Sequence, residues 1–172
     1  MLDRRTDKSV DMLASAWLGP HPRRTLTRVI VLVAGSALVF GLLLRPIRAS
    51  GISMEPTYSP GALLFCNTLA YRTSELRQGD VVAIRLAGPS VVLVKRIVGM
   101  PGDHVRIVDG IVEINGIPFD EPYVKKRLPW QYAEVAVADD EYFVIGDNRS
   151  MRIDLHDFGR VRRDRILGRI AW

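Results

Sequence analysis

Sixteen consecutive residues, Val29 to Leu44, carry no charge: Val-Ile-Val-Leu-Val-Ala-Gly-Ser-Ala-Leu-Val-Phe-Gly-Leu-Leu-Leu. Wound as a helix rising about 1.5 Å per residue they cover about 24 Å, slightly less than a hydrocarbon core of about 30 Å. Leu26 and Thr27 extend the run, Arg28 and Arg45 can snorkel to the headgroups, and Pro46 stops the helix. Three readings compete. A buried core helix shows a polar stripe, and this one has none. A cleaved export signal fits the basic flank, but its cleavage site would fall beside Ser53 and its apolar run is usually shorter. Arg23-Arg24 matches the pair of a twin-arginine signal, in surroundings that fit poorly. The retained reading is an uncleaved span over residues 26–47, between a segment 1–25 and a folded domain 48–172.

Charge sets the orientation. Arg4, Arg5, Lys8, Arg23, Arg24 and Arg28 precede the span, against Arg45 and Arg48 just beyond it. The positive-inside rule puts the N-terminus in the cytoplasm and the domain on the outer, periplasmic side of the cell (inner) membrane, as a single-pass protein. The net charge of +5 lacks an aromatic-interleaved basic motif, so anionic lipid is the expected partner and nucleic acid is not. Val10, Leu13, Ala14, Trp17 and Leu18 fall at helical spacing; a short interfacial helix and a disordered tail both fit. Cys66 is single and reads as a buried small hydrophobe, and His21, His104 and His156 lack ligand spacing, so no metal is assigned.

Beyond residue 50 the pattern changes to short apolar runs broken by Gly, Pro, Asn and Asp. Val81–Leu86 and Val91–Val98, joined by Ala87–Ser90, read as strands, as do His104–Val108 and Ile111–Ile114 around Asp109-Gly110. Asn115-Gly116 is a further turn, and Glu134–Ala138, Glu141–Ile145 and Arg165–Trp172 add strands, with Pro122–Tyr132 as a loop or insertion. The fold class is mainly β: one N-terminal transmembrane helix, then a compact antiparallel β catalytic domain.

Two residues suggest chemistry. Ser53 lies in Gly51-Ile52-Ser53-Met54-Glu55-Pro56-Thr57, where Gly51 permits close approach or unusual dihedrals and Pro56 fixes the following turn. An ordinary turn serine fits the same segment. Lys95 lies among Val91, Val92, Leu93, Val94, Ile97 and Val98, apolar on both faces, whereas a strand lysine usually meets solvent. Serine needs a base, and lysine can serve if burial keeps it neutral. Lowering its pKa from about 10.4 to near neutrality takes about 4 kcal/mol, within the reach of desolvation. Arg96, on the opposite face, suits an ion pair with Asp80, Asp103 or Asp147.

Ser53-Met54-x-Pro56-Thr57 behind an apolar anchor resembles the nucleophile box of the type I signal peptidases. Lys95-Arg96-Ile97-Val98-Gly99-x-Pro101-Gly102-Asp103 resembles their lysine box, and Gln78-Gly79-Asp80-Val81-Val82 and Gly146-Asp147-Asn148-Arg149 resemble two more, in the family's order. The similarity runs from about Ser50 to Trp172. It implies a Ser53 nucleophile, a Lys95 general base, no cofactor, and cleavage of signal-peptide-bearing preproteins after small residues. Gly51, Met54, Pro56, Arg96, Asp147, Ser150 and Asp154 are further supporting positions in this reading.

Three departures stand out. Gly51 occupies a place where many relatives carry an oxyanion-assisting serine, and Gly61-Ala62 replaces the family's Gly-Asp. The last box reads Arg152-Ile153-Asp154-Leu155-His156, so Arg152 replaces the serine that orients the lysine. Ser150 or a backbone carbonyl is expected to bind the Lys95 amine instead, with Arg152 paired to Asp154 or another exposed acid. Alternatives to a general signal peptidase are a dedicated processing peptidase of the same family and an inactive, membrane-tethered peptide-binding module. Self-cleaving repressors share a Ser–Lys pair but have no use for the apolar span.

Overall fold

The computed structural model describes residues 22–86 and 92–171. The expected face of Val10 to Leu18, the Ala87–Ser90 turn, Val91 and Trp172 lie outside the described residues. The chain divides into two compact units, 1–42 and 43–172.

In the first unit helix α1 (Pro22–Leu43) carries a stretch, Arg23–Gly41, long and apolar enough to cross a membrane, none of it buried within the protein. The helix ends before the expected boundary at 47. Residues 44–48 instead form strand β1 (Leu44–Arg48), antiparallel to β2 (Leu63–Asn67) with Leu44 opposite Asn67 and Arg48 opposite Leu63. Pro46 is tolerated because β1 is an edge strand, where a missing N–H breaks no second ladder.

The remaining elements are a single helical turn α2 (Ala70–Thr73), then β3 (Val81–Arg85), β4 (Val92–Gly99), β5 (His104–Val108), β6 (Ile111–Ile114) and β7 (Ile117–Pro118). They are followed by β8 (Tyr132–Ala136), β9 (Glu141–Ile145), β10 (Gly159–Arg162) and β11 (Ile166–Ala171). One sheet has the order β1-β2-β11-β3-β4-β9-β10 and the other β7-β6-β5-β8, antiparallel throughout. The fold is therefore mainly antiparallel β, as the short apolar runs imply.

Turn chemistry explains the smaller sheet. Asp109 and Gly110 both take positive φ, 49° and 78°, the geometry of a type I′ hairpin between β5 and β6. A Cβ on Gly110 would also lie 2.3 Å from the Leu128 carbonyl oxygen. Strand β8 starts two residues before the expected Glu134–Ala138. Val137 leaves the ladder to donate its N–H to Asp103 O while accepting from Gly102 N–H.

Three apolar clusters hold the unit together. Val98, Val105, Ile107, Val112, Trp130, Phe143 and Ile145 fill the first, beneath the small sheet. Leu76, Val82, Ile84, Ile97, Val144 and Ile166 form another on the large sheet. Met54, Tyr58, Leu64, Cys66, Val81, Ala83 and Ile170 form the third and reach into the segment that carries Ser53. Burial pushes the Cys66 thiol up to about 11, so it behaves as the small hydrophobe expected.

Candidate active site

Ser53 sits on a turn fixed from both sides. The next side chain, Met54, is buried in the third cluster and anchors the turn to the sheet. Glu55 N–H donates to Ile52 O at 3.1 Å and Tyr58 N–H to Met54 O at 3.0 Å, which closes the backbone around the serine. From behind, Asn148 donates its N–H to Ser53 O at 2.9 Å and its Nδ2–H to Ile52 O at 3.0 Å. Gly146 makes that approach possible, because a Cβ there would lie 2.3 Å from Ser53 O. The Ser53 N–H meets no acceptor among the described residues and is free for a ligand.

Lys95 lies at the middle of β4, opposite Val82 of β3, in an interior strand of the large sheet. Its side chain is 2% exposed, and among the described residues its amine has no hydrogen-bond or ion-pair partner. Burial pushes its pKa down to about 8, against the charges of Asp157 and Asp147, which favour the ammonium. A cavity of about 170 Å³ is lined by both Ser53 and Lys95, together with Ile52, Leu93, Met151 and Asp157. The arrangement can do acyl-transfer chemistry, with a hydroxyl-bearing residue and a desolvated amine lining one cavity.

Arg96 points to the other face of β4. Of the three expected acids it takes Asp147, through Nε at 2.9 Å and Nη2 at 2.6 Å, and it stacks 3.9 Å over the Tyr123 ring. Thr57 Oγ1 also donates to Asp147, so this carboxylate, buried and paired, ties the strand of Lys95 to the segment of Ser53. Asp80 and Asp103 are occupied locally, by Tyr71 Oη and Arg77 N–H and by Met100 N–H and Asn115 Nδ2–H.

The last box needs correction at Ser150. Its Oγ donates to Asn148 Oδ1 at 2.6 Å, and it lines a separate cavity with Glu55, Pro56, Lys125 and Lys126. Among the described residues its hydroxyl makes no hydrogen bond to Lys95; the tight Asn148 turn holds it. Arg152 and Asp154 pair on the exposed surface at 2.7 Å, so neither reaches the lysine. Gly51 lines the Ser53 cavity, but its φ is not positive and a Cβ there would meet nothing within 4 Å. The conformational freedom expected of Gly51 is not used.

The roles of two neighbours of the site are not legible in the sequence. His156 is buried and accepts the Gly146 N–H on Nε2 at 3.0 Å, which leaves the proton on Nδ1. Burial, with the Lys95 and Arg149 charges, pushes its pKa down to about 3, so it stays neutral. Its ring packs edge-on against Trp130, with centroids 4.9 Å apart. Arg149, fully buried, pairs with buried Glu121 and donates to Gly146 O at 2.9 Å. Spacing along the chain carries no sign of the Glu121 pairing, and His156 shows only as a departure within the box.

Comparison with known proteins accords with this geometry. The family model described as signal peptidase, peptidase S26, matches residues 23–172. The probable signal peptidase I-2 of Synechocystis sp. is 37% identical over 123 residues, covering 68% of this chain and 56% of that protein. The chain thus spans little more than half the length of that relative. Signal peptidase I of Bacillus licheniformis is 32% identical over 151 residues, with 81% of each chain covered. Signal peptidase I T of Bacillus subtilis is 33% identical over 151 residues, covering 81% of this chain and 78% of that one. With a family match that extends over nearly its whole length, the chain belongs to the S26 signal peptidases, a family of serine endopeptidases.

Proposed function

We propose that this protein is a membrane-anchored endopeptidase that removes N-terminal signal peptides from exported preproteins, with Ser53 as nucleophile and Lys95 as general base. The observation that carries this reading is a buried, unpaired lysine of lowered pKa lining the same cavity as a serine on a fixed turn. Neutral Lys95 takes the Oγ proton as Ser53 attacks the scissile carbonyl, and then delivers it to the leaving amine. The Ser53 N–H is the donor available to the oxyanion. Water, deprotonated by the same amine, releases the acyl group. The cavity wall of Ala49, Leu64, Val92 and Val94 is apolar and close, which suits small side chains before the scissile bond.

Supporting the anchoring part of the reading, helix α1 carries an apolar stretch long enough to cross a membrane. The arginines before Val29 orient the domain outward. The test is cleavage of a preprotein with an Ala-x-Ala site by detergent-solubilised protein. Ser53→Ala and Lys95→Ala should each abolish processing and keep the fold; a cut by either variant at the wild-type rate overturns the reading.

A further inference from the structure

Among the described residues the Ser53–Lys95 cavity has one acid on its wall, Asp157. It lies on the extended segment before β10, directly after His156. His156 is pinned by the Gly146 N–H and by the Trp130 ring, so the backbone entering Asp157 is fixed and not free to swing. Among the described residues the Asp157 carboxylate has no hydrogen bond and no ion pair. The other charges around Lys95 are committed or distant in role: Asp147 to Arg96 and Thr57, Arg149 to Glu121, and His156 neutral. Arg48 adds the one further charge on the cavity wall, from β1. Arg152 pairs with Asp154 at the exposed surface and does not reach the lysine.

We propose that Asp157 is the positioning residue of this site: its carboxylate faces Lys95 across the cavity and stabilises the ammonium formed when Ser53 gives up its proton. This rests on the Ser53–Lys95 reading. In the step the Oγ–H bond breaks, its proton goes to the Lys95 amine, and Oγ bonds the carbonyl carbon; Asp157 stays ionised and takes no proton. Among the described residues no salt bridge joins the two groups, and burial outweighs the Asp157 charge, so the lysine keeps a lowered pKa at rest. Of the two carboxylates that oppose the effect of burial on Lys95, Asp157 acts more strongly than Asp147.

The experiment compares wild type, Asp157→Asn and Asp157→Glu as full-length, detergent-solubilised proteins cleaving an Ala-x-Ala preprotein from pH 6 to 9.5. Removing the carboxylate should move the acid limb of kcat/KM to lower pH by about half a unit or more. It should also lower the plateau about threefold or more, because the ammonium is less stabilised as it forms. Asp157→Glu should keep most of both. A purely structural role would change the plateau and leave the limb in place, and that result overturns the proposal. Lys95 can also be titrated directly by NMR of ¹³C-methylated lysines, assigned against Lys95→Arg, since the chain has only Lys8, Lys95, Lys125 and Lys126. An unchanged Lys95 titration in Asp157→Asn refutes the coupling whether or not the enzyme turns over. Loss of Lys95 dependence in wild type would instead refute the dyad itself.

Discussion

Replacing Lys95 with methionine should abolish activity and make the protein more stable. Lys95 is 2% exposed, its amine has no partner among the described residues, and the gap between about 8 and its ordinary 10.5 corresponds to a burial penalty of about 3 kcal/mol on the charged form. The sign follows from proton counts. Below about pH 8 folded and unfolded chains both carry the proton, so the full penalty weighs on the fold. Between about 8 and 10.5 the unfolded chain binds more protons than the folded one, and stability rises with pH. Methionine is of similar length, suits an apolar strand and has nothing to titrate. Lys95→Met should therefore exceed wild type by up to about 3 kcal/mol at pH 7, and the gain should shrink steadily toward pH 10.5. Urea unfolding of the detergent-solubilised chain reads this through the fluorescence of buried Trp130. A variant no more stable than wild type at pH 7, or a gain that does not fall with rising pH, refutes the claim that the site holds a desolvated lysine.

Gly146→Ala should cut processing at least about tenfold, because its Cβ would lie 2.3 Å from Ser53 O and 2.7 Å from the His156 ring and must displace the nucleophile turn. Steady-state kinetics checks it; a near-normal rate would mean the turn is more forgiving than its contacts. Glu121→Ala leaves Arg149, fully buried, without its carboxylate and should cost about 3–5 kcal/mol in urea unfolding, with a loss under 1 kcal/mol counting against the ion pair as a structural support. Protease added outside intact spheroplasts should digest an epitope after Trp172 and spare one before Met1; the reverse pattern contradicts the orientation read from the arginines.

The parts of the fold that were legible were those written in local chemistry. Asp109-Gly110 marks a two-residue hairpin because both residues tolerate positive φ, and the strands on either side, His104–Val108 and Ile111–Ile114, match their apolar runs residue for residue. Strands β1, β2, β7 and β10 were not read. β1 contains Pro46 and two arginines and is a strand only because its partner β2 is there. β10, Gly-Arg-Val-Arg, has too little apolar content to register and is held by pairing with β9. In the site, Ser53 and Lys95 stood out because each is the wrong residue for an ordinary surroundings: a serine between backbone-controlling residues and a lysine in an apolar strand. Arg96 narrowed the choice to three acids, and only the fold, which brings Asp147 from 51 residues away, selects one. Ser150 suggests itself for the lysine only by its nearness to Arg152 along the chain. The turn at Asn148 aims it elsewhere, and chain proximity says nothing of that.

The most direct test of the central claim, that a neutral Lys95 activates Ser53, is the pH dependence of kcat/KM for preprotein cleavage, with Lys95→Arg beside wild type. The rate should climb with pH through a midpoint near 8, with only about a tenth of the lysine neutral at pH 7, and then level off. Lys95→Arg should be inactive at every pH, since a guanidinium stays protonated. A profile flat from pH 6 to 9, or measurable turnover by the arginine variant, would contradict the account.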